Sequence, residues 1–135
     1  MDAAELQATL DRIAADYVKR LRLRVETVAK GEVTLTLPVT PELVHGGGVL
    51  CGQAIMSAAD TAMLLAMIAQ LGEFRPMTTV QFQTSFVRPI PSDTLDVRVR
   101  AEVLRFGKTL SYGEVRFEAN EGRLAAHATT TYALL

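Results

Sequence analysis

The chain has 135 residues, of which 49% are apolar and 21% charged, and its formal net charge is −1. This composition is typical of a globular protein, and the length suits a single domain, residues 1–135, with a buried core. The near-neutral charge gives no electrostatic support to a nucleic-acid-binding function. One cysteine, Cys51, cannot form an intramolecular disulfide, so we expect a reducing, cytoplasmic location.

The N-terminal segment from Glu5 to Val18 predicts an amphipathic helix, because its apolar residues recur at helical spacing. Acidic residues begin at Asp2 and no continuous apolar run follows, so the segment does not resemble a secretory signal. We therefore interpret it as part of the folded domain.

From Leu21 the apolar residues alternate with polar ones, which predicts β-strands. One run ends near Val25, and a second covers residues 32–37. Lys30-Gly31 lies between them and is a plausible hairpin turn.

A glycine-rich loop, His45–Gly48, precedes a long apolar helix predicted over Gln53–Leu71, with Gly72 as its C-cap. This run is almost as long as a membrane span. Because it holds Asp60 and other polar residues, we interpret it as a buried helix and expect no membrane association. The helix is apolar all round, and one sheet covers only one side of it. We therefore expect a second copy of the chain to cover the rest.

The second half of the chain reads as four strands joined by short connections, which predicts an antiparallel meander. The predicted strands are Thr78–Arg88, Leu95–Val103, Leu110–Ala119 and Leu124–Leu134. Together with the helices they predict an α+β fold in which a sheet wraps a buried helix.

Asp60 is the one carboxylate in the long helical run. Burying a lone carboxylate is costly, and such a group usually acquires a raised pKa or dedicated hydrogen-bond donors. Asp60 is therefore either a structural acid tied to its neighbours or a catalytic acid, and the preceding glycine loop favours catalysis. No metal-ligand cluster or nucleotide-binding motif is present, so we expect neither a metal nor a separate cofactor.

Three motifs, in this order, resemble the acyl-CoA thioesterases of the hotdog fold, PaaI-like branch. They are the glycine-to-acid spacing from Gly47 to Asp60, then TTVQFQTSFVRP, then VLRFGKTLSYGEVRF. The resemblance extends from about Leu35 to the C-terminus. It implies an antiparallel sheet of about five or six strands around a long central helix, with the N-terminal helix added. It also implies hydrolysis of a small or medium acyl- or aryl-CoA to a carboxylic acid and CoA.

The resemblance assigns roles to Gly52 and Asp60. The Gly52 backbone N–H would polarise the thioester carbonyl, and Asp60 would act as general base toward water or as nucleophile. Along one helix the two residues are about 12 Å apart, at about 1.5 Å per residue. One thioester carbon cannot reach both. Gly52 of one subunit would therefore face Asp60 of another, in a homodimer or a dimer of dimers.

Several further residues are candidates for the site. Many relatives carry histidine at the position of Cys51, whereas this chain has His45 farther upstream, where relatives often place an amide. His45 could orient water or the acid by donating a hydrogen bond. We expect Gly48, Cys51 and Gln53 to line the substrate site, with Cys51 as a small packed residue rather than a nucleophile.

The strand after the helix and the later turns supply the remaining candidates. A hydroxyl of Thr78 or Thr79 could hydrogen-bond the acid or the water. Arg88, Arg105 and Lys108 could bind the CoA phosphates, although each also suits a solvated surface. Two alternatives stay open: a dimer that binds acyl-CoA without turnover, and a hotdog dehydratase or hydratase.

Overall fold

The computed structural model describes residues 1–135 as three α-helices, a short 3₁₀ turn and six strands. The helices are α1 (Ala3–Ile13), α2 (Asp16–Lys19) and α3 (Gly52–Leu71), and the 3₁₀ turn is Pro41–Leu43. The strands are β1 (Arg24–Ala29), β2 (Glu32–Pro38), β3 (Met77–Phe86), β4 (Asp96–Arg105), β5 (Leu110–Ala119) and β6 (Arg123–Leu134).

The strands form one six-stranded antiparallel sheet in the order β1-β2-β4-β5-β6-β3. The sheet packs around α3, and the inward residues of both form one apolar core. The predicted hotdog architecture is thereby confirmed. Gly31 adopts φ 72° in the hairpin between β1 and β2, a left-handed conformation that glycine tolerates.

The predicted N-terminal helix is interrupted. At Ala14 the backbone turns extended, with ψ 143°, and a separate short helix, α2, follows. The break lets α2 lie against α3, where the Tyr17 hydroxyl meets Ser57 Oγ at 3.1 Å. Helical periodicity alone did not report this change of direction, because no proline or glycine marks it.

The predicted four-strand meander is wrong at its first strand. β4, β5 and β6 do follow one another, but β3 pairs with β6 at the far edge of the sheet. The connection after β3 contains Pro89 and Pro91 and is long enough to cross the sheet. The strand expected from Leu21 also begins later, at Arg24, because Arg22 is left-handed with φ 57°.

One face of α3 is not covered by the sheet. Gln53 and Met56 are exposed on it, and Ser57, Asp60 and Leu64 are half-buried. By length and composition alone α3 could cross a membrane, with a mean hydropathy of 1.6. In the fold, however, 61% of that stretch is buried.

The two edges of the sheet differ. At β1, the Val25 N–H donates to Gln7 Oε1 at 2.8 Å, and Gln7 Nε2 donates to the Leu23 carbonyl at 3.3 Å. Gln7 of helix α1 therefore supplies hydrogen-bond partners at the start of this edge. At β3 no other element pairs with the outer edge, and Val80 is 57% exposed.

Candidate active site

Asp60 lies midway along the uncovered face of α3, and two hydroxyl groups contact one of its carboxylate oxygens. Thr79 Oγ1 donates to Asp60 Oδ1 at 2.7 Å, and the Tyr132 hydroxyl lies 2.6 Å from the same atom. The other oxygen, Oδ2, makes no hydrogen bond with the protein and is not enclosed. The carboxylate is thus held on one side and open on the other.

Tyr132 was not among the residues predicted from the sequence. Its side chain is 4% exposed, and burial, followed by the nearby Asp60 charge, raises the pKa of its hydroxyl far above the ordinary value. The hydroxyl therefore stays protonated and can donate. Alternation along β6 could have indicated that Tyr132 points inward, but no sequence signal links it to Asp60.

A β-bulge in β3 brings Thr79 to the acid. The pairing register with β6 shifts between Thr79 and Gln81, so that Thr79 and Phe82 both face the helix. Thr79 lies opposite Tyr132 in the pairing, which places both hydroxyls at Asp60. Thr78, the other predicted hydroxyl, is exposed and does not contact the acid.

The N-terminus of α3 forms the second part of the candidate site. Gly52 is the first residue of the helix, so its N–H has no intrahelical acceptor, and no other protein group accepts from it. A Cβ at Gly52 would lie 3.3 Å from the Phe86 ring. Gly52, Phe86 and Arg88 line a common groove of about 330 Å³. Free N–H groups and the helix dipole there favour negative charge.

The two parts of the site lie at opposite ends of β3. Gly52 meets Phe86 at the end of the strand, whereas Asp60 meets Thr79 near its start. Helix α3 is continuous from Gly52 to Leu71, so the separation along it is about 12 Å, at about 1.5 Å per residue. Within one chain, therefore, the N–H and the carboxylate do not converge.

His45 lies in a tight turn before α3 and is exposed. Its Nδ1 accepts a hydrogen bond from the Gly47 N–H at 2.8 Å. A Cβ at Gly47 would lie 2.6 Å from the imidazole, and Gly48 has φ 78°, so both positions favour glycine. With Nδ1 accepting, a neutral imidazole carries its proton on Nε2, which is then free to donate.

The other predicted residues are spread over the surface. Gln53 and Gly48 are exposed near the start of α3, and Cys51 borders a separate cavity of about 140 Å³ with Tyr17 and Leu43. None of these three contacts Asp60 in one chain.

The three predicted cations lie at two ends of the sheet. Arg88 follows β3, where its Nη1 donates to the Leu124 carbonyl at 2.6 Å. Arg105 ends β4 and Lys108 lies in the turn after it, and both are exposed. Because a ten-residue strand spans about 33 Å, the structure does not bring Arg88 together with the other two in one chain.

The family model of the thioesterase superfamily matches residues 47–126, which include α3, Asp60 and Tyr112 but end before Tyr132. A candidate esterase of Thermoplasma volcanium is 30% identical over 118 residues, covering 87% of this chain and 86% of that protein.

Solved structures have the same fold. The PaaI protein of Escherichia coli, from the phenylacetic acid degradation operon, superposes with a TM-score of 0.86 at 19% identity, over 98% of this chain and 93% of that one. A hypothetical thioesterase of Streptococcus pneumoniae, solved with coenzyme A, gives a TM-score of 0.77 at 20% identity, over 84% and 85% of the two chains.

Proposed function

This chain belongs to the thioesterase superfamily, and we propose that it hydrolyses a small or medium acyl- or aryl-CoA to a carboxylic acid and free CoA. The observation that carries the proposal is the Asp60 carboxylate, held on Oδ1 by two hydroxyls and open on Oδ2. Coenzyme A in the S. pneumoniae neighbour supports the choice of thioester. The reaction needs no cofactor beyond the CoA of its substrate.

We propose that the complete site forms between two subunits joined at their β3 edges. An antiparallel pair of β3 strands, about 4.8 Å apart, would put the start of one strand beside the end of the other. The Asp60 and Thr79 of one subunit would then approach the Gly52 and Phe86 of its partner. In this arrangement the N–H and the carboxylate come from different helices. The separation of Gly52 and Asp60 along one helix, about 12 Å, then no longer keeps the two groups apart.

The mechanism follows from those two groups. The Gly52 N–H donates to the thioester oxygen as negative charge develops on it. Asp60 Oδ2 either takes a proton from the attacking water or attacks the carbonyl carbon itself, to give a mixed anhydride that water then cleaves. In both routes the C–S bond breaks and CoA leaves as the thiolate. His45 can orient the water by donating from Nε2.

Arg88 lies at the Gly52 end of β3 and lines the same groove as Gly52 and Phe86. We propose that Arg88 binds a CoA phosphate beside the Gly52 N–H. Arg105 and Lys108 lie at the end of β4 and in the turn after it, and β5 and β6 separate β4 from the β3 edge. The β3 pairing does not bring these two cations to Arg88, so their part in phosphate binding stays a separate prediction.

The test is turnover of a panel of short-chain, long-chain and aryl acyl-CoAs, followed by thiol release with a chromogenic disulfide. Cys51 contributes at most one equivalent of thiol per chain, so only multiple turnovers count. We expect Asp60→Asn to keep the fold and to lose at least about a hundredfold in kcat/KM.

Two results would contradict the proposal. Unchanged turnover in Asp60→Asn would remove Asp60 from the chemistry. No turnover across the panel, with saturable CoA-ester binding to the folded protein, would favour a dimer that binds acyl-CoA without hydrolysing it.

A further inference from the structure

We propose that Tyr132 is a positioning residue for hydrolysis, and that with Thr79 it makes Oδ2 the reacting oxygen of Asp60. This inference rests on the proposed function, because it assigns which oxygen of the Asp60 carboxylate reacts. It adds a residue on β6, 72 positions from Asp60, to a site otherwise built from α3 and β3.

Tyr132 contacts both the side chain and the main chain of Asp60. Its hydroxyl lies 2.6 Å from Oδ1 and 2.7 Å from the Asp60 carbonyl oxygen. One phenol proton cannot make two full hydrogen bonds, so it is shared between these acceptors or alternates between them. Either way the hydroxyl ties the carboxylate to its own backbone and restricts its rotation about the side-chain bonds.

Thr79 acts on the same oxygen. Its hydroxyl donates to Oδ1 at 2.7 Å, so both donors lie on one side of the carboxylate. Oδ2 has no protein donor, and it is therefore the oxygen with a free lone pair for water or for the thioester carbon. If the two donors were shared between Oδ1 and Oδ2, the carboxylate would have no distinguished reacting atom.

Few other groups can act on this carboxylate. Asp60 is the only charged residue of α3, and no charged side chain is fully buried. From β3 the neutral Thr79 faces it, and from α2 Tyr17 reaches Ser57, one turn earlier on the helix. Tyr132 is therefore the one titratable side chain that contacts Asp60 in the chain.

The experiment compares Tyr132→Phe with Tyr112→Phe, on the panel substrate that the wild-type protein hydrolyses best. Tyr112 is a matched control, because it lies on the neighbouring strand β5 and is 42% exposed. We expect Tyr132→Phe to lower kcat about ten- to a hundredfold with KM changed less than about threefold. We also expect the acidic limb of its pH–kcat profile to move to higher pH, because the carboxylate has lost a donor to its charged form.

Thr79 provides a second test that does not depend on the tyrosine ring. Thr79→Val should lower kcat in the same direction, and Thr79→Ser should restore most of it, since serine keeps the hydroxyl. A merely structural role for Tyr132 would lower thermal stability but leave the pH limb and kcat of the folded protein unchanged.

The outcomes separate this inference from the proposed function. If Asp60→Asn is inactive while Tyr132→Phe keeps both kcat and the pH limb, the positioning role is wrong and the proposed function stands. If Asp60→Asn is fully active, the proposed function itself fails. If Tyr132→Phe does not fold, loss in Thr79→Val with recovery in Thr79→Ser supports the inference, and unchanged kcat in Thr79→Val overturns it.

Discussion

The two edges of the sheet differ in their contacts. The β1 edge packs against helix α1, whereas the outer edge of β3 has no partner within the chain. At the start of β1 the Gln7 side chain accepts from the Val25 N–H and donates to the Leu23 carbonyl. At β3 the backbone has no such partner, and Val80, Phe86 and Val87 are each about half exposed, at 57%, 52% and 49%.

An open, apolar edge strand is a hazard for a protein, because it can pair with any other chain. This protein removes the hazard at β1 with its own N-terminal helix and keeps it at β3. The β3 edge is also the one beside Asp60, Thr79 and Gly52. The contacts at β1 therefore stabilise the monomer, whereas the open edge at β3 is suited to pairing with a second copy.

A charge placed on the open β3 edge should have the largest effect. Val80→Glu should give a monomer and lower kcat/KM at least about a hundredfold, because the interface would bury one unpaired charge from each subunit. Analytical ultracentrifugation measures the first effect and thiol release the second.

Leu95→Glu is the matched control, because Leu95 is 84% exposed and lies outside the strands. It should leave both the assembly and the turnover unchanged. A Val80→Glu protein that is monomeric and fully active would show that one chain contains the whole site.

A mixing experiment tests directly whether the site is shared. Gly52→Pro removes the N–H, and it adds a Cβ that would lie 3.3 Å from the Phe86 ring. Proline suits the first helical position, and Cys51 before it is already extended, at φ −71° and ψ 149°. Gly52→Pro and Asp60→Asn should each be inactive alone. After unfolding and refolding together in equal amounts they should recover about a quarter of wild-type activity, because half the dimers then hold one intact site.

Gly52→Ala controls for the added bulk at this position. It keeps the N–H, and its Cβ would meet only the Phe86 ring at 3.3 Å, so it should retain most activity. If the refolded mixture stays inactive while each variant alone is dimeric, the shared site is wrong.

A substitution at the β1 edge should change the stability of the protein but neither its turnover nor its assembly. Gln7→Ala removes the hydrogen bonds to Leu23 and Val25 and should lower the free energy of unfolding by about 1–2 kcal/mol, with turnover and assembly unchanged. Urea unfolding measures this change. Arg12→Ala, at an exposed position on the same helix as Gln7, should change stability by less than about 0.5 kcal/mol. Loss of the dimer in Gln7→Ala would contradict the division between the edges.

Periodicity predicted much of this fold from the sequence. The strand Leu110–Ala119 is found with the predicted bounds, and α3 begins one residue before the predicted Gln53. Periodicity could not predict which strands pair with each other. The move of β3 to the far edge depends on the path of a proline-containing loop, and strand alternation carries no information about that path.

The candidate site was predictable only in part, for a related reason. Asp60 is conspicuous as a lone charge in an apolar helix, and Thr79 follows in the next strand. Tyr132 is one of several inward residues of β6, and its contact with Asp60 arises only once β6 lies next to β3. The bulge that turns Thr79 rather than Thr78 toward the acid is likewise a property of strand pairing.

The smallest predicted effect concerns alkaline pH, and it distinguishes the two edges once more. Burial and the Asp60 charge raise the pKa of Tyr132 well above its ordinary value of 10.0. Above about pH 10 the unfolded chain releases a proton that the folded protein keeps, so stability falls as pH rises, by at most about 1.4 kcal/mol per pH unit from this group.

Urea unfolding between pH 8.5 and 11 should therefore show that the free energy of unfolding falls less steeply with pH in Tyr132→Phe than in the wild type. Gln7→Ala should lower stability by the same amount at every pH, because an amide does not titrate. An equally steep loss of stability at alkaline pH in Tyr132→Phe would mean that the Tyr132 phenol is not the group that makes stability depend on pH.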